Sequence, residues 1–202
     1  MKVINVISFT LFILFCLSYF AKLIAMKSKL NIKAYVLGKG KKNGAIRFAE
    51  VLVRISTLIW GLSWAVYPFF YEHLTNILVK SDGRLTVIIV GLVISAIGLF
   101  VFITAMLTMR DSWRVGIDKQ TSTKLVTTGI YRYSRNPAFL GFDLMFTGFC
   151  LTYFSVVSVA ICLVNTIALH ILILQEEKHL ISTIGDQYLQ YMRKTRRYIG
   201  TY

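Results

Sequence analysis

The sequence predicts an all-α membrane protein with five transmembrane helices. The last two form a hairpin, and a cytoplasmic helix follows at the C-terminal end. Three observations carry that class. The 202 residues are 56% hydrophobic and only 16% charged, with a mean hydropathy of +0.64. A soluble domain carries roughly a quarter charged residues, so this chain has too little polar surface to cover itself in water. Its apolar runs reach the roughly 20 residues that cross a bilayer. Finally, Lys and Arg collect in alternate polar segments, as the positive-inside rule requires of cytoplasmic loops.

The runs follow in order. The first covers Val3 to Ile24, the second Phe48 to Phe70 and the third Leu85 to Met109. The first lacks a small-x-small cleavage pattern after it, so a retained helix is expected rather than a signal peptide. The stretch Phe139 to Leu174 is too long for one span and reads as two helices that break near Tyr153 to Ser158. Residues 1–109 then form three N-terminal membrane helices. Residues 110–202 form a second region of loop, hairpin (139–174) and C-terminal segment, the whole being one integrated membrane domain.

Seven basic residues (Lys27, Lys29, Lys33, Lys39, Lys41, Lys42, Arg47) lie between the first two runs. Two lie in Glu72 to Arg84, six in Arg110 to Asn136 and five from Gln175 onward. The first and third loops and the C-terminus are therefore expected in the cytoplasm, with the N-terminus outside. Five spans require opposite ends, so count and charge agree. The expected location is a bacterial inner membrane or the endoplasmic reticulum.

The net charge of +14 does not point to nucleic acid, because the cations are dispersed as loop segments between spans. The partners expected from this are membrane lipids. Cys16, Cys150 and Cys162 all lie in apolar runs without CxxC spacing or clustered histidines. Neither a metal site nor a disulfide framework is expected, and they read as small buried hydrophobes.

Polar residues inside the runs have local readings. Glu50 and Arg54 are an i,i+4 pair, and Trp60 and Trp64, one turn apart, read as packing or an interfacial belt. The string Gly38-Lys39-Gly40-Lys41-Lys42 lacks the spacing and terminal Ser/Thr of a phosphate loop. It reads as a solvated basic loop near anionic headgroups. Asp143 lies seven residues after Asn136 and shares its helix face; an ionisable group within a span is costly and often functional. His170 shares a face with Glu177 and reads as a hydrogen-bonded packing histidine.

The informative stretch is DSWRVGIDKQTSTKLVTTGIYRYSRNPAFLG, Asp111 to Gly141. Asn136-Pro137 starts a helix, with Asn136 as N-cap and Pro137 at the first position. A capped helix start also offers free N–H groups to an anion. The second stretch is EEKHLISTIGDQYLQYMRKTRRYI, Glu176 to Ile199. Taken alone, two glutamates at a helix end fit interfacial solvation as well as they fit a site.

Leu125 to Gly141 resembles a TGxY turn followed by RHPxYxG. Glu176 to Ile199 resembles a Glu-Glu pair followed by FGxxYxxY and a basic end. In that order around a helical hairpin, the two motifs resemble the isoprenylcysteine carboxyl methyltransferase and phospholipid methyltransferase group. The resemblance spans Arg110 to Ile199. It implies S-adenosyl-L-methionine as cofactor, held by Thr123, Lys124, Leu125, Val126, Tyr131, Asn136, Pro137, Ala138, Phe139 and Glu176. Arg135, Glu176 and Glu177 are the implied catalytic positions. Asn136 stands where the family has His, and Phe139 where it has Tyr. Leu172 stands where a substrate-binding arginine serves prenylated peptides, so that substrate is not implied.

The implied reaction is methyl transfer to a carboxylate or amine of a prenylated or phospholipid-like acceptor. It is an in-line displacement at a sulfonium carbon, in which positive charge disappears, so positioning and water exclusion matter most. Two other readings are a sterol-reductase-like enzyme using a nicotinamide cofactor at a related turn, and a non-catalytic membrane scaffold or transport component.

Overall fold

The computed structural model describes residues 2–74, 84–118 and 124–202. Among these it is helical, with isolated bridges Tyr35–Val115 and Thr195–Thr201 and no strand. Six α-helices follow in order: α1 (Lys2–Leu30), α2 (Gly44–Leu74), α3 (Arg84–Met109), α4 (Pro137–Thr152), α5 (Val156–Ile184) and α6 (Asp186–Lys194).

Helices α1, α3 and α5 are each long and apolar enough to cross a membrane. Many of their large apolar side chains are exposed, among them Val6, Leu17, Phe100 and Ile167. Apolar surface left bare on this scale marks a face made for a membrane or a partner. Helix α2 is as long but less apolar, since Arg47, Glu50, Arg54 and several Trp, Tyr and Ser residues dilute it. Helix α4 is a shorter apolar helix of 16 residues.

The expected break falls at Tyr153–Ser155, between α4 and α5. Ser155 starts α5 as its N-cap, accepting from Ser158 N at 3.1 Å, while Ser158 Oγ accepts from Ser155 N at 2.9 Å. This reciprocal box satisfies two helix-start donors and turns the chain back in a hairpin. At the other end Gly185, with φ +66°, stops α5 and opens α6. That φ favours glycine.

Helices α3 and α4 pack closely through small residues. A Cβ added at Gly98 would sit 2.7 Å from Gly141 O, and one at Gly91 would sit 2.7 Å from Gly148 O. Small residues let backbones approach and gain dispersion energy where lipid offers no hydrophobic driving force. Beside this seam lies an aromatic core. Trp60 meets Phe146 edge-on at 4.8 Å, and Phe102 meets Phe142 at 5.0 Å. Such edge contacts add about 0.5–1.5 kcal/mol beyond area burial.

Several local expectations change. Glu50 does not pair with Arg54: fully buried, it takes Lys42 at 2.6 Å on one oxygen and 2.8 Å on the other. Gly38 N (2.8 Å) and Ile117 N (2.9 Å) complete its partners. A buried carboxylate needs this many donors to offset desolvation. The basic loop is thus solvated at Gly38 to Lys41 only, because Lys42 is buried against Glu50. Trp60 and Trp64 are both core residues, and Trp64 Nε1 donates to Ser8 Oγ at 2.9 Å, which decides for packing over a belt. Cys150 is buried, whereas Cys16 and Cys162 are only half-buried. His170 Nδ1 lies 2.6 Å from the Tyr198 hydroxyl, a packing partner brought by the C-terminal segment.

Candidate active site

A cavity of about 1080 Å³ lies among α1, α2, α4, α5 and α6. Its polar lining comes from helix ends and the connecting strips: Lys124, Tyr131, Asn136, Glu176, His179 and Tyr188. Its apolar lining comes from mid-helix positions, such as Phe12, Phe15, Leu62, Phe142 and Leu169. The sequence folds this way because the spans must be apolar, whereas loops and helix ends carry groups that need water or partners.

The strip 113–118 forms one wall. Val115 N donates to Ala34 O (2.9 Å), and Val36 N donates to Val115 O (3.0 Å). The buried Glu50 then ties this strip to α2 through Ile117. Arg114 pairs with Asp118 at 3.2 Å, and His179 Nε2 lies 3.0 Å from Asp118 O, which docks α5 on the strip.

The two glutamates at positions 176 and 177 face different environments. Glu176 is half-buried and lines the cavity. Among the described residues its carboxylate has no hydrogen bond or ion pair. Tyr131 is buried beside it, and burial first, then the Glu176 charge, pushes its phenol well above the usual range. The phenol stays protonated and can donate.

Glu177 points away from the cavity into a charged clasp. Its Oε1 accepts from Arg135 Nη2 at 2.8 Å and Nε at 3.2 Å, and its Oε2 accepts from Arg197 Nη2 at 2.8 Å and Nε at 3.1 Å. The Glu177 carboxylate holds the Arg197 guanidinium above its ordinary range. Arg135 Nη1 also donates to Thr195 O at 2.7 Å.

Helix α4 begins at Pro137 as expected, but the Asn136 side chain does not cap it. Its Nδ2 donates instead to Arg197 O at 3.2 Å and weakly to Glu177 Oε1 at 3.5 Å. The turn 131–136 is thereby completed by the C-terminal segment. Gly200 N donates to Tyr133 O (2.8 Å), Arg135 N to Arg196 O (3.0 Å), and Tyr191 OH to Ser134 O (3.2 Å).

Of the residues the sequence singles out, Lys124, Leu125, Val126, Tyr131, Arg135, Asn136, Ala138, Phe139 and Glu176 line one cavity. Pro137 is buried behind it, Glu177 sits in the clasp, and Thr123 lies outside the described residues. Asp143 does not line the cavity, and its Oδ1 is buried without a partner among the described residues. The cavity also contains Arg54, Trp60, Trp113 and His179, which the two motifs did not indicate. Arg54 and Trp60 lie six residues apart on α2, a spacing that does not put them on one helix face, so no periodicity in the sequence pairs them.

The three long apolar helices define a membrane protein with a cavity among its helices. A model of the phospholipid methyltransferase family matches residues 86–187, and the chain belongs to that family. Comparison with curated proteins finds no matching relative.

Proposed function

We propose that this protein is an S-adenosyl-L-methionine-dependent methyltransferase acting on a lipophilic acceptor at the cytoplasmic membrane interface. The observation that carries the reading is a cavity that gathers Glu176 of α5, Lys124 of the 124–126 strip and Tyr131 of the turn before α4, with apolar walls beyond. When bound, adenosylmethionine supplies a methyl group on a sulfonium, which passes to the acceptor's nucleophile while sulfur keeps the bonding electron pair.

The residues fit that cofactor. Glu176, without a partner in the described residues, can accept from an ammonium or from ribose hydroxyls. Lys124 can take a carboxylate. Trp60 Nε1 is a buried donor lacking an acceptor among the described residues, and such a group is rarely left unused. Tyr131, kept protonated, donates without adding charge. The Arg135–Glu177–Arg197 clasp fixes the turn that holds Tyr131 and Asn136, so Arg135 and Glu177 act here by positioning. Aromatic walls exclude water, which strengthens each polar contact.

The reading includes five spans, with the N-terminus outside and residues 1–109 and 110–202 forming one integrated domain. Its acceptor is an amphiphile, bearing a carboxylate or amine nucleophile, that enters sideways from lipid. The test is equilibrium binding of radiolabelled adenosylmethionine to detergent-purified protein. Methyl transfer to one headgroup on tails of increasing length then follows. Each buried CH₂ contributes about 0.8 kcal/mol, so the specificity constant should rise with tail length until the groove is full. No cofactor binding, or a flat series, overturns the reading.

A further inference from the structure

We propose that Arg54 is the specificity-determining residue for the acceptor: it binds an anionic group on an amphiphile entering the cavity from the membrane. This deepens the methyltransferase reading and rests on it for the word acceptor.

The ion pairing of the cavity points to Arg54. Among the described residues four cationic side chains line it, Arg54, Arg114, Lys124 and Arg135, against two carboxylates, Asp118 and Glu176. Arg114 is paired with Asp118, and Arg135 with Glu177 outside the cavity. Arg54, Lys124 and Glu176 have no ion pair among the described residues. Lys124 lines the cavity in the strip 124–126, which the proposed function assigns to the cofactor. Arg54 stands on α2 and is left over.

Its natural helical partner is unavailable. Glu50, one turn before it, has both oxygens occupied by Lys42, Gly38 N and Ile117 N. The Arg54 guanidinium lies beside Gly38, with Nη1 3.6 Å from where a Cβ on that glycine would stand. It is therefore held at the loop end of α2, where the apolar wall begins.

Exposure locates the mouth. Arg54, Ile55, Leu58 and Leu62 line the cavity and are also exposed on the outer face of α2, as is Phe20 on α1. Residues that face both ways mark where the cavity opens sideways. A tail lying along Leu58 and Leu62 puts its head beside Arg54. A guanidinium prefers a carboxylate or phosphate there, because its planar fork makes two parallel hydrogen bonds. Leu169 and Leu172 on α5 also line the cavity and offer no competing cation.

The experiment titrates dodecyl phosphate, dodecanol and inorganic phosphate into the full-length protein in neutral micelles. It follows the fluorescence of Trp60 and Trp113, which line the cavity. Dodecyl phosphate should bind saturably, and Arg54→Gln should weaken it about tenfold through loss of a charge-assisted contact. Arg54→Lys should fall between. Dodecanol should bind wild type and Arg54→Gln alike, and inorganic phosphate far more weakly than dodecyl phosphate. Coincident dodecyl phosphate curves for wild type and Arg54→Gln would overturn the proposal, as would an equal loss of dodecanol. Inorganic phosphate binding as tightly as dodecyl phosphate would overturn the amphiphile. Wild-type protein that binds dodecyl phosphate through Arg54 but no adenosylmethionine would instead refute the methyltransferase reading and leave the anion site standing.

Discussion

Replacing Glu177 should cost far more stability than replacing the more exposed of its two partners. The side chains of Glu177 and Arg135 are only 5% and 6% exposed, whereas that of Arg197 is 33% exposed. Breaking a buried pair from one side leaves the other charge uncompensated and costs about 3–5 kcal/mol. A solvent-accessible pair contributes about 0–1 kcal/mol. Glu177→Gln keeps one oxygen for Arg135 but turns an NH₂ toward Arg197, so its loss should sit near 3 kcal/mol, at the lower edge of that range. Arg135→Gln should cost as much, since Met192 O and Thr195 O lose their donor too. Arg197→Gln should cost only about 1 kcal/mol, because Glu177 keeps Arg135. Reversible unfolding in SDS mixed micelles, followed by tryptophan fluorescence, gives the three values. Equal losses for Arg135→Gln and Arg197→Gln, or a Glu177→Gln loss within about 0.5 kcal/mol of zero, would refute the argument, since that is the range of surface substitutions without a structural role.

Glu176→Gln should leave the fold intact and weaken adenosylmethionine about tenfold or more, through loss of a charge-assisted hydrogen bond; isothermal titration on folded mutant reads it directly. Gly98→Ala drives a Cβ to 2.7 Å from the Gly141 carbonyl oxygen and should destabilise by about 1–3 kcal/mol. Gly61→Ala on α2 meets nothing within 4 Å and should be neutral or stabilising by up to about 1 kcal/mol; the same SDS titration compares them. Cysteine labelling at Gly83 should occur from the outside, and at Tyr202 from the cytoplasmic side; labelling of both from one side would contradict five spans. Asn136→His should keep adenosylmethionine binding, because either side chain can donate to Arg197 O, while Asn136→Ala should weaken it; the reverse order would remove Asn136 from the site.

What the sequence revealed and what it concealed follow from the range of the forces involved. Helix ends are local: Pro137 at a first turn and the break before Ser158 are set by residues within a few positions, and both lie where the sequence puts them. The cavity residues that were legible lie where the two motifs hold them, at 124–126, Tyr131, Arg135, Asn136, Ala138, Phe139 and Glu176. Partner choice was not legible. Glu50 has Arg54 one turn away, yet its buried carboxylate goes to Lys42 and to Ile117 N, 67 residues on. Only the folded loop decides that competition. The Asn136 side chain likewise leaves its local capping role for Arg197 O, 61 residues away. The α3–α4 seam did leave a trace, since Gly91–Gly98 and Gly141–Gly148 share a seven-residue spacing that puts each pair on one helix face.

The dependence of the 131–136 turn on the C-terminal segment sets an order of events during synthesis. Arg135 is made about sixty residues before Thr195, whose carbonyl it binds. Once α5 is complete at Ile184, the inserted helices can form most of the cavity wall. Until Thr195 and Arg197 are made, the turn beside it lacks the carbonyls to which Arg135 and Asn136 donate. A chain cut short between Ile184 and Thr195 would therefore resemble the finished protein in its membrane helices yet lack its closing contacts. Such a product would look inserted to a topology assay and incomplete to a ligand.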